Sequence, residues 1–323
     1  MKAAVLHQFG AIPQYEDFAD PVAGEGDLTV HVKAATLENF DKITAQGVHY
    51  ASKRMFPQFP AIVGHIGVGT LPDGKLVAFG GARPPYGTMA ELAVIPREFA
   101  GYVSSVPDGV DVGVAAALPS SALTSLLPLK WGATLEPGQT VLIQGATGVS
   151  GKLAVRIAKL LGAGRVVASG REESILKVLP DMGADAIIDL KQPDAEVGDA
   201  FARESGHGYD VILDYLWGHP TELLLRTLTP TEATFAKRRT RYVQIGQSAG
   251  PAIALHAEVL RTSGLELTGV GNIPPGVLSE ALEQIWAWVL EGKLTMEVEK
   301  MNLCRVTEAW QKTTKGKRIA IVL

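Results

Sequence analysis

A single cysteine, Cys304, among 323 residues excludes an intrachain disulfide and any structural zinc lobe built on thiolates. Excess charge of either sign is also missing. The 30 Lys and Arg residues against 34 Asp and Glu leave a net charge of −4 and a pI near 6.0. That balance predicts no nucleic-acid partner and no anionic membrane partner. No run of ~18 consecutive apolar residues occurs, so the sequence predicts no transmembrane helix. The opening MKAAVLHQFG is soon followed by Glu16, Asp17 and Asp20, without the apolar core of a signal peptide, and a cytoplasmic location is expected. What is present, 46% hydrophobic and 20% charged residues, suits a globular chain rather than a disordered one. Its length accommodates two domains of about 100–200 residues each.

The texture changes along the chain. Up to about residue 117, short β-type runs alternate with Gly and Pro: Leu28–Val32, Lys75–Phe79 and Ala90–Ile95 are examples. Such runs suggest a partly barrel-like β domain. Six apolar, β-branched-rich runs follow: Val141–Gln144, Arg165–Ser169, Ala186–Leu190, Asp210–Asp214, Arg241–Ile245 and Glu266–Val270. Their starts lie 21 to 31 residues apart, the spacing of repeated strand–helix–strand crossovers in a parallel sheet buried on both faces. The segment Lys152–Leu161 carries Leu153, Ile157, Leu160 and Leu161 on one helical face, and Gly162 stands where a helix C-cap belongs. These features predict a doubly wound Rossmann domain over 118–270 in an α/β protein. The remainder, 271–323, holds an amphipathic helix near Leu278–Leu290 and a final strand Arg318–Leu323. It is too short for a domain and is expected to complete the N-terminal one, giving 1–117 plus 271–323.

The chemical signal is the run Gly145-Ala-Thr-Gly148-Val-Ser-Gly151, between a strand and a helix. Small residues there let the backbone turn tightly and approach a pyrophosphate, which the helix N-terminus stabilises. Gly145, Thr147, Gly148, Val149, Ser150 and Gly151 are therefore the candidate cofactor cradle. A nucleotide-triphosphate loop is excluded: Ala146 stands where its first Gly belongs, and Leu153 follows Lys152 where a hydroxyl should bind magnesium. A hydrolase elbow at Gly246-Gln-Ser248-Ala-Gly250 lacks any acid between Ser248 and His256, the only later His, so its triad cannot be assembled. The second strand ends Ser169-Gly170-Arg171. A hydroxyl and a guanidinium there suit the 2′-phosphate of NADP(H) better than the 2′-hydroxyl of NAD(H), although Glu172 follows directly.

Residues 118–151, LPSSALTSLLPLKWGATLEPGQTVLIQGATGVSG, together with Phe59–His65, Gly87–Pro96, Met182–Leu190 and Arg241–Gly246, resemble the medium-chain dehydrogenase/reductase superfamily. The zinc-independent, quinone-oxidoreductase-like branch is the nearest in pattern. The resemblance implies that the Rossmann domain is inserted in a GroES-like catalytic domain. It also implies an active site in the interdomain cleft and a homodimer or homotetramer. It places Thr124 near a nicotinamide, Gly246 under the dinucleotide, and Lys317 or Arg318 near the pyrophosphate. At the positions of the family's catalytic zinc ligands this chain has Glu38, His65 and Ser120, a poor zinc set, so no metal is expected. Glu38 and Ile43 stand where the quinone-reductase pattern has an Asn and a Tyr; Asn39 is a shifted equivalent of that Asn, which local geometry would point elsewhere.

Glu38 and His65 are then the candidate catalytic pair, because a carboxylate beside an imidazole favours its protonated form. Tyr50, beside His49 on a loop resembling a substrate-lining one, is the third candidate; Asp41 and Lys42 read as structural. The basic run Lys237, Arg238, Arg239 and Arg241 reads as a solvated turn, with attraction of the 2′-phosphate as the alternative. Trp286 and Trp288, two positions apart on the late helix, are not expected to share one core. The function so implied is NADPH-dependent reduction of a small-molecule quinone or α,β-unsaturated carbonyl. The alternatives are a specialised carbonyl or imine substrate, with Glu38 facing a cation, or a non-catalytic NADPH-binding protein.

Overall fold

The computed structural model describes residues 1–229, 235–236, 238–272, 274 and 276–323. They form two compact units, Met1–Ser120 with Leu282–Leu323, and Ser121–Ala281. The second boundary lies later than the sequence suggests, within the helix Leu278–Leu290.

The first unit begins with β1 (Lys2–Leu6), β2 (Gln14–Asp17), β3 (Leu28–Leu37) and β4 (Ala61–Ile62). It continues with β5 (Ile66–Thr70), β6 (Leu76–Gly80), β7 (Leu92–Ile95) and β8 (Ser104–Ser105). The second unit holds β9 (Thr140–Gln144), β10 (Arg165–Gly170), β11 (Ala186–Asp189), β12 (Val211–Asp214), β13 (Thr240–Gln244) and β14 (Leu265–Gly269). The chain returns to the first unit with β15 (Val298–Asn302) and β16 (Arg318–Val322).

The long strand β3 organises the first unit. Its N-terminal half pairs with β7 and its C-terminal half with β16, while β5 lies along its other edge; all three pairings are antiparallel. A register shift between Val32 and Ala34 bends it, as expected of a strand that serves several partners. One core of this unit joins Ala35 and Leu37 of β3 to Ile319 and Ile321 of β16 and to Val306, Ala309 and Trp310. Burying these side chains is what returns the C-terminal segment to the first unit.

In the second unit the sheet order is β11-β10-β9-β12-β13-β14, with every pairing parallel. All five residues of β9 are buried, which explains the unbroken apolar run in the sequence. The helix after the glycine run spans Val149–Leu160, three residues earlier than predicted, with Leu153, Ala154 and Ile157 buried. Gly162 follows it at φ +91, a left-handed conformation suited to a helix end.

The helix Val112–Leu127 continues through a π-helical turn, Pro128–Gly132, into 21 helical residues of mean hydropathy 1.5, long and apolar enough to cross a membrane. Its small and hydroxylated residues interrupt the apolar run and so hide it in the sequence. In the structure 67% of that window is buried inside the protein, as befits a core helix. Trp286 and Trp288 are both buried, at 6% and 7% exposure, but the core cluster of Ala34, Val68, Ala115 and Ala116 takes in Trp286 and not Trp288.

Candidate functional site

In the second unit the sheet order reverses between β9 and β12, and in open α/β sheets this switch point opens a ligand crevice at the carboxyl ends of the strands. The glycine run stands there. Gly145 turns at φ +90, and its N–H and that of Ala146 donate to the Ser169 carbonyl at 3.0 and 2.8 Å. Gly148 is the N-cap of the helix Val149–Leu160, so the amides of Val149, Ser150 and Gly151 lie in its first turn.

Three glycines at the cradle have no room for a side chain. A Cβ on Gly151 would lie 2.3 Å from the Gly145 carbonyl oxygen, and one on Gly170 would lie 2.4 Å from Thr147 Cγ2. A Cβ on Gly246 would lie 2.5 Å from the Tyr215 carbonyl oxygen. This close backbone packing leaves a helix N-terminus bare toward the crevice, the arrangement a pyrophosphate requires.

Other candidates around the crevice differ in placement. Arg171 is exposed just beyond β10, and Glu172 beside it accepts a hydrogen bond from Ser174 Oγ at 2.9 Å. Ser169, expected to offer its hydroxyl to a 2′-phosphate, has no exposed surface; its main chain, not its side chain, serves the loop. Thr124 is exposed, and its hydroxyl donates to the Ser121 carbonyl at 2.8 Å.

The basic run lies at the wrong end of the sheet. Arg241 sits near the N-terminal end of β13, and its guanidinium donates to Thr134 O at 3.0 Å and Gln139 Oε1 at 2.7 Å. Arg239 pairs with Glu266. A cavity of about 740 Å³ opens among these residues, but its cations already serve protein oxygens and the glycine run is at the opposite strand ends. Lys237 lies outside the described residues.

The first unit holds the other cluster. Leaving β3, the chain reaches Glu38, the N-cap of the helix Asn39–Ala45, and the Glu38 N–H donates to Asp41 Oδ2 at 2.7 Å. The other oxygen of Asp41 lies 2.7 Å from His65 Nδ1. On the far side of the ring, His65 Nε2 is 3.7 Å from Glu38 Oε2. Ser120 Oγ donates to Glu38 Oε1 at 2.6 Å, and the Arg318 guanidinium approaches the same oxygen at 3.8 Å. Asp41, which reads as structural in the sequence, is therefore the direct partner of His65. Its only sequence signal is an acid three residues after a helix N-cap.

Burial opposes charge on the His65 ring and Arg318 opposes it further. The Asp41 carboxylate, hydrogen-bonded to the ring, and then Glu38 outweigh them, and the imidazole pKa lies above its ordinary 6.5. His65 and Glu38 keep 21% and 14% side-chain exposure while Asp41 keeps 1%, so the imidazole and Glu38 can meet a ligand and Asp41 cannot. As a metal site the set is deficient. One carboxylate oxygen already accepts a hydrogen bond from a hydroxyl and faces a guanidinium, and the third position is a neutral alcohol.

Tyr50 is 92% exposed and joins the cluster only indirectly, through ring contacts from His49 at 4.0 Å, His49 to Phe40 at 5.2 Å and Phe40 to His65 at 4.7 Å. Asn39 is exposed and outside the network. Arg318, expected at a pyrophosphate, stands beside Glu38 with 12% side-chain exposure.

Residues 182–320 match the family model of zinc-binding dehydrogenases. The chain is 27% identical over 309 residues to a phenolphthiocerol/phthiocerol polyketide synthase protein of Mycobacterium tuberculosis, covering 91% of this chain but only 13% of that protein. It is 25% identical to the chloroplastic quinone-oxidoreductase QR1 of Triphysaria versicolor, covering 92% of this chain and 88% of that one. Among solved structures, the quinone oxidoreductase of Thermus thermophilus, also determined with NADPH, aligns over the whole of both chains with a TM-score of 0.78 and 26% identity.

Proposed function

Since the chain belongs to the medium-chain dehydrogenase/reductase superfamily, in its quinone-oxidoreductase-like branch, we propose that it is an NADP(H)-dependent oxidoreductase acting without zinc on a quinone or α,β-unsaturated carbonyl. The observation that carries this reading is the glycine cradle at the switch point, where Gly151, Gly170 and Gly246 each exclude a Cβ and a helix N-terminus faces the crevice. Bound there, NADPH supplies hydride. Gly148 through Gly151 would hold its pyrophosphate with main-chain amides, and Arg171 would pair with its 2′-phosphate.

Hydride addition leaves negative charge on the acceptor's oxygen, which must be protonated. His65 is the proton donor in this reading: its pKa is raised, Asp41 occupies Nδ1, and Nε2 is the ring nitrogen left for transfer. Glu38, bonded by Ser120, keeps the imidazolium charged and takes part in relaying the proton. A cationic imine as substrate loses its motive, because Arg318 offsets the Glu38 charge. Zinc is omitted for the donor chemistry described above.

The test is a metal-analysed preparation titrated with NADPH and NADH, then assayed on a panel of quinones and enones. NADPH preference with turnover, lowered about 10²–10⁴-fold by His65→Gln, is expected. Stoichiometric zinc, or turnover untouched by the substitution, would refute the mechanism. NADPH binding without turnover of any acceptor would refute the substrate class.

A further inference from the structure

The mechanism above leaves one polar chain of the second unit unused. Tyr215 directly follows β12, at the edge of the crevice opposite β10 and Arg171. Its hydroxyl lies 2.8 Å from Ser125 Oγ and donates to the Thr124 carbonyl at 3.1 Å. Ser125 Oγ, fully buried, reaches the carbonyl of Ser150 at 3.2 Å, in the first turn of the glycine helix. One phenol thereby links the turn after β12, the helix Val112–Leu127 and the glycine helix.

The base of the ring is fixed as firmly as its tip. The Tyr215 N–H donates to Gln144 O at 3.1 Å, and its carbonyl accepts from Ser248 Oγ at 3.0 Å. Just before it, the Asp214 carboxylate has no exposure and accepts from the Leu216 and Trp217 N–H groups at 2.8 and 3.1 Å and from Thr221 Oγ1 at 2.6 Å. The Tyr242 hydroxyl also donates to it. A buried charge persists only when satisfied in this way, and the same bonds hold the turn that carries Tyr215. Burial raises the Tyr215 pKa above 10, so the group stays a neutral phenol at physiological pH.

In this sheet order a dinucleotide lies across the switch point, with its adenosine half on the β9–β10–β11 side and its other half on the β12 side. We propose that Tyr215 is a positioning residue for the nicotinamide half, holding Thr124 and Ser125 against the glycine helix so that the β12 side of the crevice is preformed. The inference rests on the cofactor reading and adds to it a division of labour: Arg171 serves the adenosine half and Tyr215 the other.

Tyr215→Phe removes the hydroxyl and keeps the ring. The intact protein and the variant are titrated with NADPH and with 2′,5′-ADP, which fills the adenosine half alone, and each is melted without ligand. NADPH is expected to bind roughly threefold to tenfold more weakly to the variant. Affinity for 2′,5′-ADP should be unchanged, and Ser125→Ala should show the same split. Equal weakening of both ligands would mean a merely structural hydroxyl and would overturn the proposal, as would no change in either. If the unaltered protein binds 2′,5′-ADP and NADPH equally well, no nicotinamide-half contribution exists and the proposal fails while the cofactor site survives. If it binds neither, the cofactor reading fails and the inference with it.

Discussion

Gly151 and Gly148 read alike as glycines of one motif, but the structure assigns them different burdens. A Cβ on Gly151 would meet Gly145 O at 2.3 Å, Ala146 Cα at 2.7 Å and Gly145 C at 2.9 Å, all backbone atoms. Ordinary contact begins near 3.4 Å, so Gly151→Ala forces the helix Val149–Leu160 back by about 1 Å. Its inner face, Leu153, Ala154, Ile157 and Ala158, is at most 3% exposed, so the retreat also loosens a packed interface. Overpacking of this kind costs about 1–3 kcal/mol, and the upper half applies because no flexible side chain can yield. For a domain of this size that lowers the melting temperature by roughly 4–12 °C. The helix amides retreat with the backbone, and NADPH affinity should fall by at least about tenfold. Gly148→Ala is the control: its Cβ would meet only Gly145 O, at 3.4 Å, and φ is −75 there. Its apo stability should stay within about 0.5 kcal/mol. Ligand-free melting and fluorescence titration with NADPH separate the two variants. A Gly151→Ala protein that melts with the unaltered chain, or a Gly148→Ala protein that loses as much, would refute the steric ranking.

Two further outcomes follow from the charged groups. The His65 pKa is raised in the folded state, so the ring's contribution to stability is complete below about pH 6.5 and is lost as pH rises through the higher folded value. Asp41→Asn keeps an acceptor for the Glu38 N–H but removes the charge, and proton NMR of the imidazole should show His65 titrating at lower pH; an unmoved titration would exclude Asp41 as the cause. Arg171→Ala should weaken NADPH and 2′,5′-ADP by roughly tenfold and leave NADH unaffected, as followed by calorimetry. Equal loss for NADH would assign Arg171 a role other than the 2′-phosphate.

The second unit was legible because its physics is local. A strand buried on both faces must be an unbroken apolar run, and β9 is one; Gly162 announces the end of the preceding helix. The late helix, Leu278–Leu290, agrees with its apolar periodicity over its full length. Less could be read where the partner is distant. Nothing in the local pattern of β3 says that it pairs with β7, β5 and β16, strands drawn from widely separated parts of the chain. The two tryptophans show the limit of spacing alone: it keeps them out of one shared core cluster, which holds Trp286 without Trp288, but does not tell how many sides of their helix are covered.

The Glu38–Asp41–His65 cluster shows the same division between near and far. Read along the chain, Glu38 is an acid in an unusual position with only His65 to answer it, and this invites a cationic substrate. Asp41, three residues on, is indistinguishable in sequence from any acid that caps a helix, yet it makes the 2.7 Å contact to His65. Arg318 enters from β16, at the other end of the sequence, and no local pattern links it to Glu38. Together they change the chemistry. With the His65 ring protonated, the two carboxylates, the imidazolium and the guanidinium are neutral as a group, so the cluster then gains nothing electrostatically from a cation and loses nothing by admitting an uncharged carbonyl. When His65 gives up its proton, the cluster becomes anionic, which favours its reprotonation from solvent. Under the proposed mechanism, a neutral electrophile that takes up hydride and then one proton would be the acceptor matched to this charge arrangement.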